Sequence, residues 1–533
     1  MNRISLLFGL FLATSQVLSQ PSEYFIPLNI QKGYSNNTRS FNGMPGKNYW
    51  QNKCNYEIKV TFDPSSAKLK GEENIFYYNN SPDTLRELVF HIFPDLYKKG
   101  NKHDFDINPS DQMEGLTLTE FLIDGKKVNL NKNKNLSFGH TSFILYLNKP
   151  VLPGSKINLD ISWNYVVNKT SNIRTGGVDS STYFIAYFFP RLAVYDDING
   201  WNYFDYTGDA EFYNDFGDFK LEITVTENFI VWATGLLQNP DEVFSEEILN
   251  RYNKSLTSNE IIHILDPVNY LNKKTFQANS FNTWKVNSEN VTDVAFALSD
   301  HYLWDAVSLV VDSSSGRRMI INTAYNKSSQ DFYEVAGINR LIINYMSNNL
   351  PGIPFPFPAM TIFNGLDYME YPMMVNDTTL NLESAYELTT HETYHSYFPF
   401  YMGINESNYA WMDEGITSFM TYLLMRDLYP GNEINQPFGD EYKDLIGNFG
   451  DEPIFVNSNK IKRPNYDFIY YDKALSFFLV LRNYLSDNNF KTALKEFIRR
   501  WNGKHPTPYD LFFTFENVTR KYLYWLIEPW FFE

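Results

Sequence analysis

The stretch ELTTHETYHSYFPFYMGINESNYAWMDEG, residues 387–415, decides how the second half of this chain is read. It holds His391 and His395 four residues apart, Glu392 directly after the first, and Glu414 after eighteen intervening residues beyond the second. On an α-helix, residues i and i+4 lie one above the other, so both imidazoles project the same way and can bind a single metal ion. Glu392 lies one residue round the helix, where it can take a proton from a metal-acidified water. A catalytic zinc site needs a third protein ligand and an open position. Glu414 begins what reads as the next helix, EGITSFMTYLLMRDLY, and a short helix–loop–helix return brings it back to the histidines. Thr417, Ser418 and Thr421 follow near that face as supporting hydrogen-bond groups. HExxH followed at this spacing by a glutamate is far more specific than the pentapeptide alone. One Zn2+ ion is the expected cofactor.

Outward from this segment the chain has two textures. From Gln20 to about Phe281 it reads as strands and turns. YEIKVTFDPSSAKLKGEENIFYYNN (56–80) alternates apolar and polar residues on both sides of a Pro-Ser-Ser turn, as a hairpin with one buried face does. TSFILYLNKPVLPGSKINLDISWNYV (141–166) and DFKLEITVTENFIVWATG (218–235) repeat the pattern. After about residue 282 helical spacing dominates, first in DFYEVAGINRLIINYMSNNLPG (331–352), which stops at Pro351-Gly352. Helices are predicted over 383–398, 414–429 and 472–487, with strands over RMIINTAYN and AMTIFNG. The fold class is therefore a multidomain α and β protein. Residues 20–282 form an antiparallel β domain and residues 283–533 a mixed, mainly helical domain.

Composition excludes several function classes. A chain of 533 residues exceeds one compact core. Aromatic residues at 17% suit β-structure, where rings pack well on pleated surfaces. A formal charge of −17 leaves no basic excess to displace counterions from phosphate, so no nucleic-acid partner is expected. The start, MNRISLLFGLFLATSQVLSQ, has Arg3, an apolar run from Ile4 to Ala13, and small residues around Val17-Leu-Ser19. Residues 1–19 thus read as a signal peptide, and the protein as exported, periplasmic or extracellular. No other run approaches the roughly 20 apolar residues of a spanning helix, so no stable membrane span is expected after cleavage. Cys54 is the only cysteine and cannot form an internal disulfide.

The motifs resemble those of the gluzincin aminopeptidases, the family of aminopeptidase N and leukotriene hydrolase. His391, Glu392, His395 and Glu414 match its zinc motif in full. Upstream, YMEYP (368–372) resembles the family's Gly-x-Met-Glu-Asn segment. The resemblance places Met369 and Glu370 at the substrate, with Glu370 as the anchor for the free α-amine. Downstream, YYDKA (470–474) resembles Tyr-x-Lys-Gly-Ala, which makes Tyr471 the oxyanion donor; read without the family, Tyr470 competes for that role. VTFDP, GEENIFYYNNSPDTLRELVFHIFPD and FFPRLAVYDDINGWN extend the resemblance through the first half. It implies a saddle-like β domain followed by a thermolysin-like catalytic domain.

Four departures stand out. Asp367 and Tyr371 replace the Gly and Asn of the substrate motif, Ala474 replaces a Gly, and the family's Gln-x-Glu-Ala strand has no visible counterpart. The chain ends at LYWLIEPWFFE, where the family's catalytic domain usually gives way to a C-terminal helical domain. On the resemblance it reads as a bacterial secreted member without that domain, or as a fragment.

The leading expectation is a secreted zinc aminopeptidase acting on peptides with a free N-terminus: Glu392 as base, Tyr471 as oxyanion donor, Glu370 as amine anchor. The alternatives are a zinc endopeptidase or epoxide hydrolase on the same scaffold, or a non-catalytic binding protein using the β domain.

Overall fold

The computed structural model describes residues 24–130, 135–171, 174–272, 275–276, 280–429, 446–448 and 450–533. The segment read as a signal peptide lies outside them. The hairpin at 56–80 forms as the alternation requires, with strands Lys53–Asp63 and Lys68–Tyr78 in register from Lys53 opposite Tyr78 to Asp63 opposite Lys68. Its turn is held by Asp63, which accepts from the Ser65 and Ser66 hydroxyls at 2.7 and 2.6 Å. Each strand buries every second residue, so one face is core and the other is wet.

These strands are central in an eight-stranded sheet whose neighbours include Gly217–Thr226, Phe281–Val291, Lys156–Val166 and Thr117–Ile123. Its pairings are antiparallel except that Lys53–Asp63 runs parallel to Gly217–Thr226. The segments 141–166 and 218–235 contain the predicted strand pairs, but not as hairpins. Ser142–Val151 pairs with Leu85–His91 in a separate four-stranded sheet, whereas Lys156–Val166 joins the large one. Ile230–Ala233 likewise leaves Gly217–Thr226 for a sheet with Ala295–Ser299. Local alternation fixes which face is buried but says nothing about which partner supplies the cover.

The sheets also place the change of domain. Strand Phe281–Val291 pairs with Gly217–Thr226, and Ala295–Ser299 with Ile230–Ala233, so a boundary at 282 falls on the first residues of a β-domain strand. The second domain's sheet takes over at Leu303–Asp312. That sheet has six strands, with Ile262–Leu265 reaching in from the first half at one edge and Tyr368–Tyr371 forming the other. Helices Phe332–Asn348, Leu382–Tyr394, Glu414–Leu428 and Ala474–Leu485 follow the predicted spacing; the first two pack on the sheet, and Glu414–Leu428 packs between Leu382–Tyr394 and Ala474–Leu485. Among the described residues no helix is long and apolar enough to cross a membrane.

Candidate metal centre

The helix Leu382–Tyr394 starts where the Asn381 side chain accepts from Ser384 N at 3.1 Å. It ends at His395 because Pro399 has no N–H for the His395 carbonyl and its ring would collide there. The chain turns through Ser396–Tyr401, and Phe398 leaves helical geometry at φ −131°, ψ 109°. That swing brings the Phe398 carbonyl to 3.0 Å from His395 Nδ1. Asp413 Oδ1 lies closer, at 2.7 Å from the same nitrogen. With Nδ1–H committed to these acceptors, Nε2 carries the free lone pair.

The return loop then delivers Glu414 at the first position of the next helix. Glu414 Oε2 is 3.1 Å from His391 Nε2 and 3.5 Å from His395 Nε2. The donor atoms of all three residues lie within 4.8 Å of one another. Thr417, one turn into that helix, donates to the Phe398 carbonyl at 3.3 Å and so steadies the same corner. Glu392 is buried, and among the described residues its Oε2 has no hydrogen-bond partner. Burial, with Glu370, Asp377 and Glu414 nearby, pushes its carboxyl well above the usual range despite the opposing pull of His395.

Tyr471 gives its hydroxyl to Glu414 Oε1, and its ring stacks on that of His391 at 6.0 Å. Tyr470 turns the other way, donating to the Val456 carbonyl at 2.7 Å. Close approach is what lets Tyr471 reach. A Cβ on Gly415 would lie 2.4 Å from Ala474 Cβ and 2.9 Å from the Tyr470 carbonyl.

Glu370 projects from the edge strand Tyr368–Tyr371 and is only 5% exposed. Met369, also buried, occupies the opposite face of that strand. Around Glu370 stand three carboxylates that sequence reasoning missed. Glu211, Glu370, Glu406 and Asp413 are all buried, with oxygens within 4.8 Å of one another. Arg174 pairs with Glu211 at 2.8 Å, and among the described residues Glu211 Oε2 and Asp413 Oδ2 have no hydrogen-bond partner. Burial and then Glu211 raise the Glu370 carboxyl to about 8. Burial works against charge on His395, yet Glu370, Glu414, Glu392 and Glu211 outweigh it and raise that imidazole to about 9. The pocket thus favours positive charge where the histidine and glutamate donors converge, and the donor set fits Zn2+.

The two departures in the substrate motif acquire a purpose here. Asp367 Oδ2 accepts the Arg174 backbone N–H at 2.5 Å, and the Tyr371 hydroxyl donates to the Arg174 carbonyl. Arg174 has φ 62°, a left-handed backbone that needs such clamping. Both substitutions therefore hold the cation that balances Glu211. Neither Glu211, in GDAEFYND, nor Glu406, in INESN, carries a spacing signal in the sequence. Asp413 had one, its place immediately before a ligand glutamate.

Fold and site together define a two-domain protein with a candidate metal centre built from His391, His395 and Glu414. Residues 348–530 match the model of the Peptidase family M1 domain, in keeping with the resemblance carried by the motifs. Aminopeptidase M1-C of Oryza sativa subsp. japonica is 22% identical over 240 residues, 41% of this chain and 27% of its own length. Endoplasmic reticulum aminopeptidase 2 of Bos taurus is 20% identical over 250 residues, 43% of this chain and 26% of its own. The match thus spans about a quarter of those relatives. An M1 zinc metallopeptidase from Deinococcus radiodurans superposes with a TM-score of 0.59 at 12% identity, covering 92% of this chain and 96% of that one. A mutant M1 zinc metallopeptidase from the same organism, bound to a Tyr-Ser-Ala substrate, superposes equally, with a TM-score of 0.59 at 12% identity over 92% of this chain and 96% of that one. The two-domain architecture is shared along nearly the whole chain.

Proposed function

We propose that this protein is an exported zinc aminopeptidase that releases N-terminal residues from peptides. The observation that carries the reading is the buried cluster of Glu211, Glu370, Glu406 and Asp413 beside the His391–His395–Glu414 donors. Four buried carboxyls face one guanidinium, and burial with Glu211 raises Glu370 to about 8, so an arriving cation is what lets the cluster ionise and is held in return. A peptide's α-ammonium supplies the cation and, once held, sets its first carbonyl at the donors. A peptide with a blocked N-terminus brings no such cation. That weighs against the endopeptidase alternative.

His391, His395 and Glu414 would hold Zn2+, which supplies Lewis acidity and a water of lowered pKa. Glu392 Oε2, with no hydrogen-bond partner among the described residues, accepts the proton of the attacking water and returns it to the departing amine. The Tyr471 hydroxyl, delivered beside Glu414, donates to the oxygen on which charge develops, a contribution of about 2.7–4 kcal/mol. Glu370 fixes the register by holding the ammonium, so cleavage falls after the first residue. Export rests on the leader-like residues 1–19.

The test is turnover of matched free and N-acetylated peptides by zinc-loaded, chelator-treated and Glu392→Gln protein. Cleavage of free amines alone, abolished by chelator and by the substitution, is expected. Equal cleavage of acetylated peptides would make the protein an endopeptidase. Zinc retention without turnover would return it to the binding class.

A further inference from the structure

A separate hollow of about 300 Å3 lies against His391. Leu380, Leu388, Tyr422 and Met425 make it largely apolar, and Glu387 stands in its wall. Glu387 precedes His391 by four residues on one helix, so its carboxylate projects from the same face, one turn from the metal donor. It is half-buried, and among the described residues its carboxylate has no hydrogen-bond or ion-pair partner. None of the acid cluster's residues, Glu211, Glu370, Glu406 and Asp413, lines the hollow. Glu370 groups with His395 and Asp413, whereas the hollow is bounded by His391 and by Tyr368, two residues before Glu370 on the edge strand. A peptide with its ammonium at Glu370 and its first carbonyl at the donors therefore sends its second residue past His391.

We propose that this hollow receives the side chain that follows the scissile bond, and that Glu387 selects lysine or arginine there. The inference rests on the aminopeptidase reading. An aliphatic stem lies along the leucines and Met425 while its cationic head reaches the carboxylate. Leucine would fill the apolar part and leave Glu387 unpaired; an acidic side chain would oppose it. Burial and the neighbouring Glu383 raise the Glu387 carboxyl above its usual range, a strain that a bound cation relieves.

The experiment measures kcat/KM for Ala-Xaa-Ala peptides with Xaa as Lys, Arg, Leu or Glu, on zinc-loaded protein and on its Glu387→Gln and Glu387→Lys variants. Lys and Arg are expected to exceed Leu by about tenfold in the parent, the scale of one charge-assisted hydrogen bond. That ratio should collapse in Glu387→Gln, and Glu387→Lys should move the preference to Xaa = Glu. Cleavage of every peptide with Leu preferred, or a basic preference that neither variant changes, overturns the role of Glu387 and leaves the aminopeptidase intact. Failure of the parent to cleave any free-amine peptide overturns the aminopeptidase reading, and this inference with it. Equilibrium binding of Lys- and Leu-containing peptides to the zinc-loaded Glu392→Gln protein gives a readout independent of turnover, with the same tenfold order expected.

Discussion

Tyr470 and Tyr471 are neighbours in sequence with opposite destinations: the first hydroxyl goes to the Val456 carbonyl, the second to Glu414 Oε1. On the proposed mechanism, Tyr471→Phe is expected to lower kcat by about 10²–10³-fold with zinc content unchanged, because it would remove one donor to the developing charge. Tyr470→Phe should spare kcat and cost about 1 kcal/mol of stability, since it removes an ordinary hydrogen bond. Steady-state kinetics and denaturant unfolding on the two variants separate these outcomes. Asp413 is a different kind of residue, one that acts through His395. Its carboxylate holds Nδ1–H at 2.7 Å, so Asp413→Asn should weaken zinc binding by about 10–100-fold. Competition against a chelator of known affinity reads that directly, without reference to activity.

The site depends on two helical elements meeting at van der Waals limits. Gly415, second in the helix Glu414–Leu428, faces Ala474 at the start of Ala474–Leu485 with no room for another carbon. Gly415→Ala is expected to cost about 1–3 kcal/mol by overpacking, and to separate Tyr471 from Glu414. The family pattern has Gly where this chain has Ala474, which supplies the repair. Gly415→Ala combined with Ala474→Gly should recover most of the lost kcat. A double-mutant cycle that came out additive would show that the two positions do not share the contact.

At the scale of the whole molecule, two clamps join the domains. Arg39 is buried between Asp197 of the β domain and Asp510 of the helical domain, with both contacts at 2.6 Å. Its guanidinium also lies 4.7 Å over the Trp501 ring. Arg39→Met leaves two buried carboxylates unpaired and should destabilise the protein by about 3–5 kcal/mol, read from denaturant unfolding. His301 sits where the domains change over. It is 3.2 Å from Asp179 and 2.8 Å from Asp300, and those hydrogen bonds raise its pKa to about 9 against burial. A folded value above the ordinary 6.5 means the unfolded chain releases the proton first. The stabilisation is therefore complete below about pH 6.5 and is lost as pH rises through about 9. Melting temperatures across pH 6–10 should fall more steeply for the parent than for His301→Gln.

The sequence by itself determined the shared face of the candidate metal donors and the periodic elements, because both are local. Two histidines four apart share a helix face whatever surrounds them, and alternation or 3.6-residue spacing declares a buried face without naming its partner. Glu414 was legible because a short return leaves the chain few places to go. What only the tertiary structure decided are the groups drawn from distant segments. Strands that read as hairpins at 141–166 and 218–235 part into different sheets. Arg174, Glu211 and Glu406 converge on Glu370 from three separate stretches of chain. Asp367 and Tyr371, which look like faults in a motif, prove to hold the Arg174 loop. A buried charge is defined by what lies within a few ångströms of it, and for this cluster those neighbours are up to about two hundred residues away along the chain.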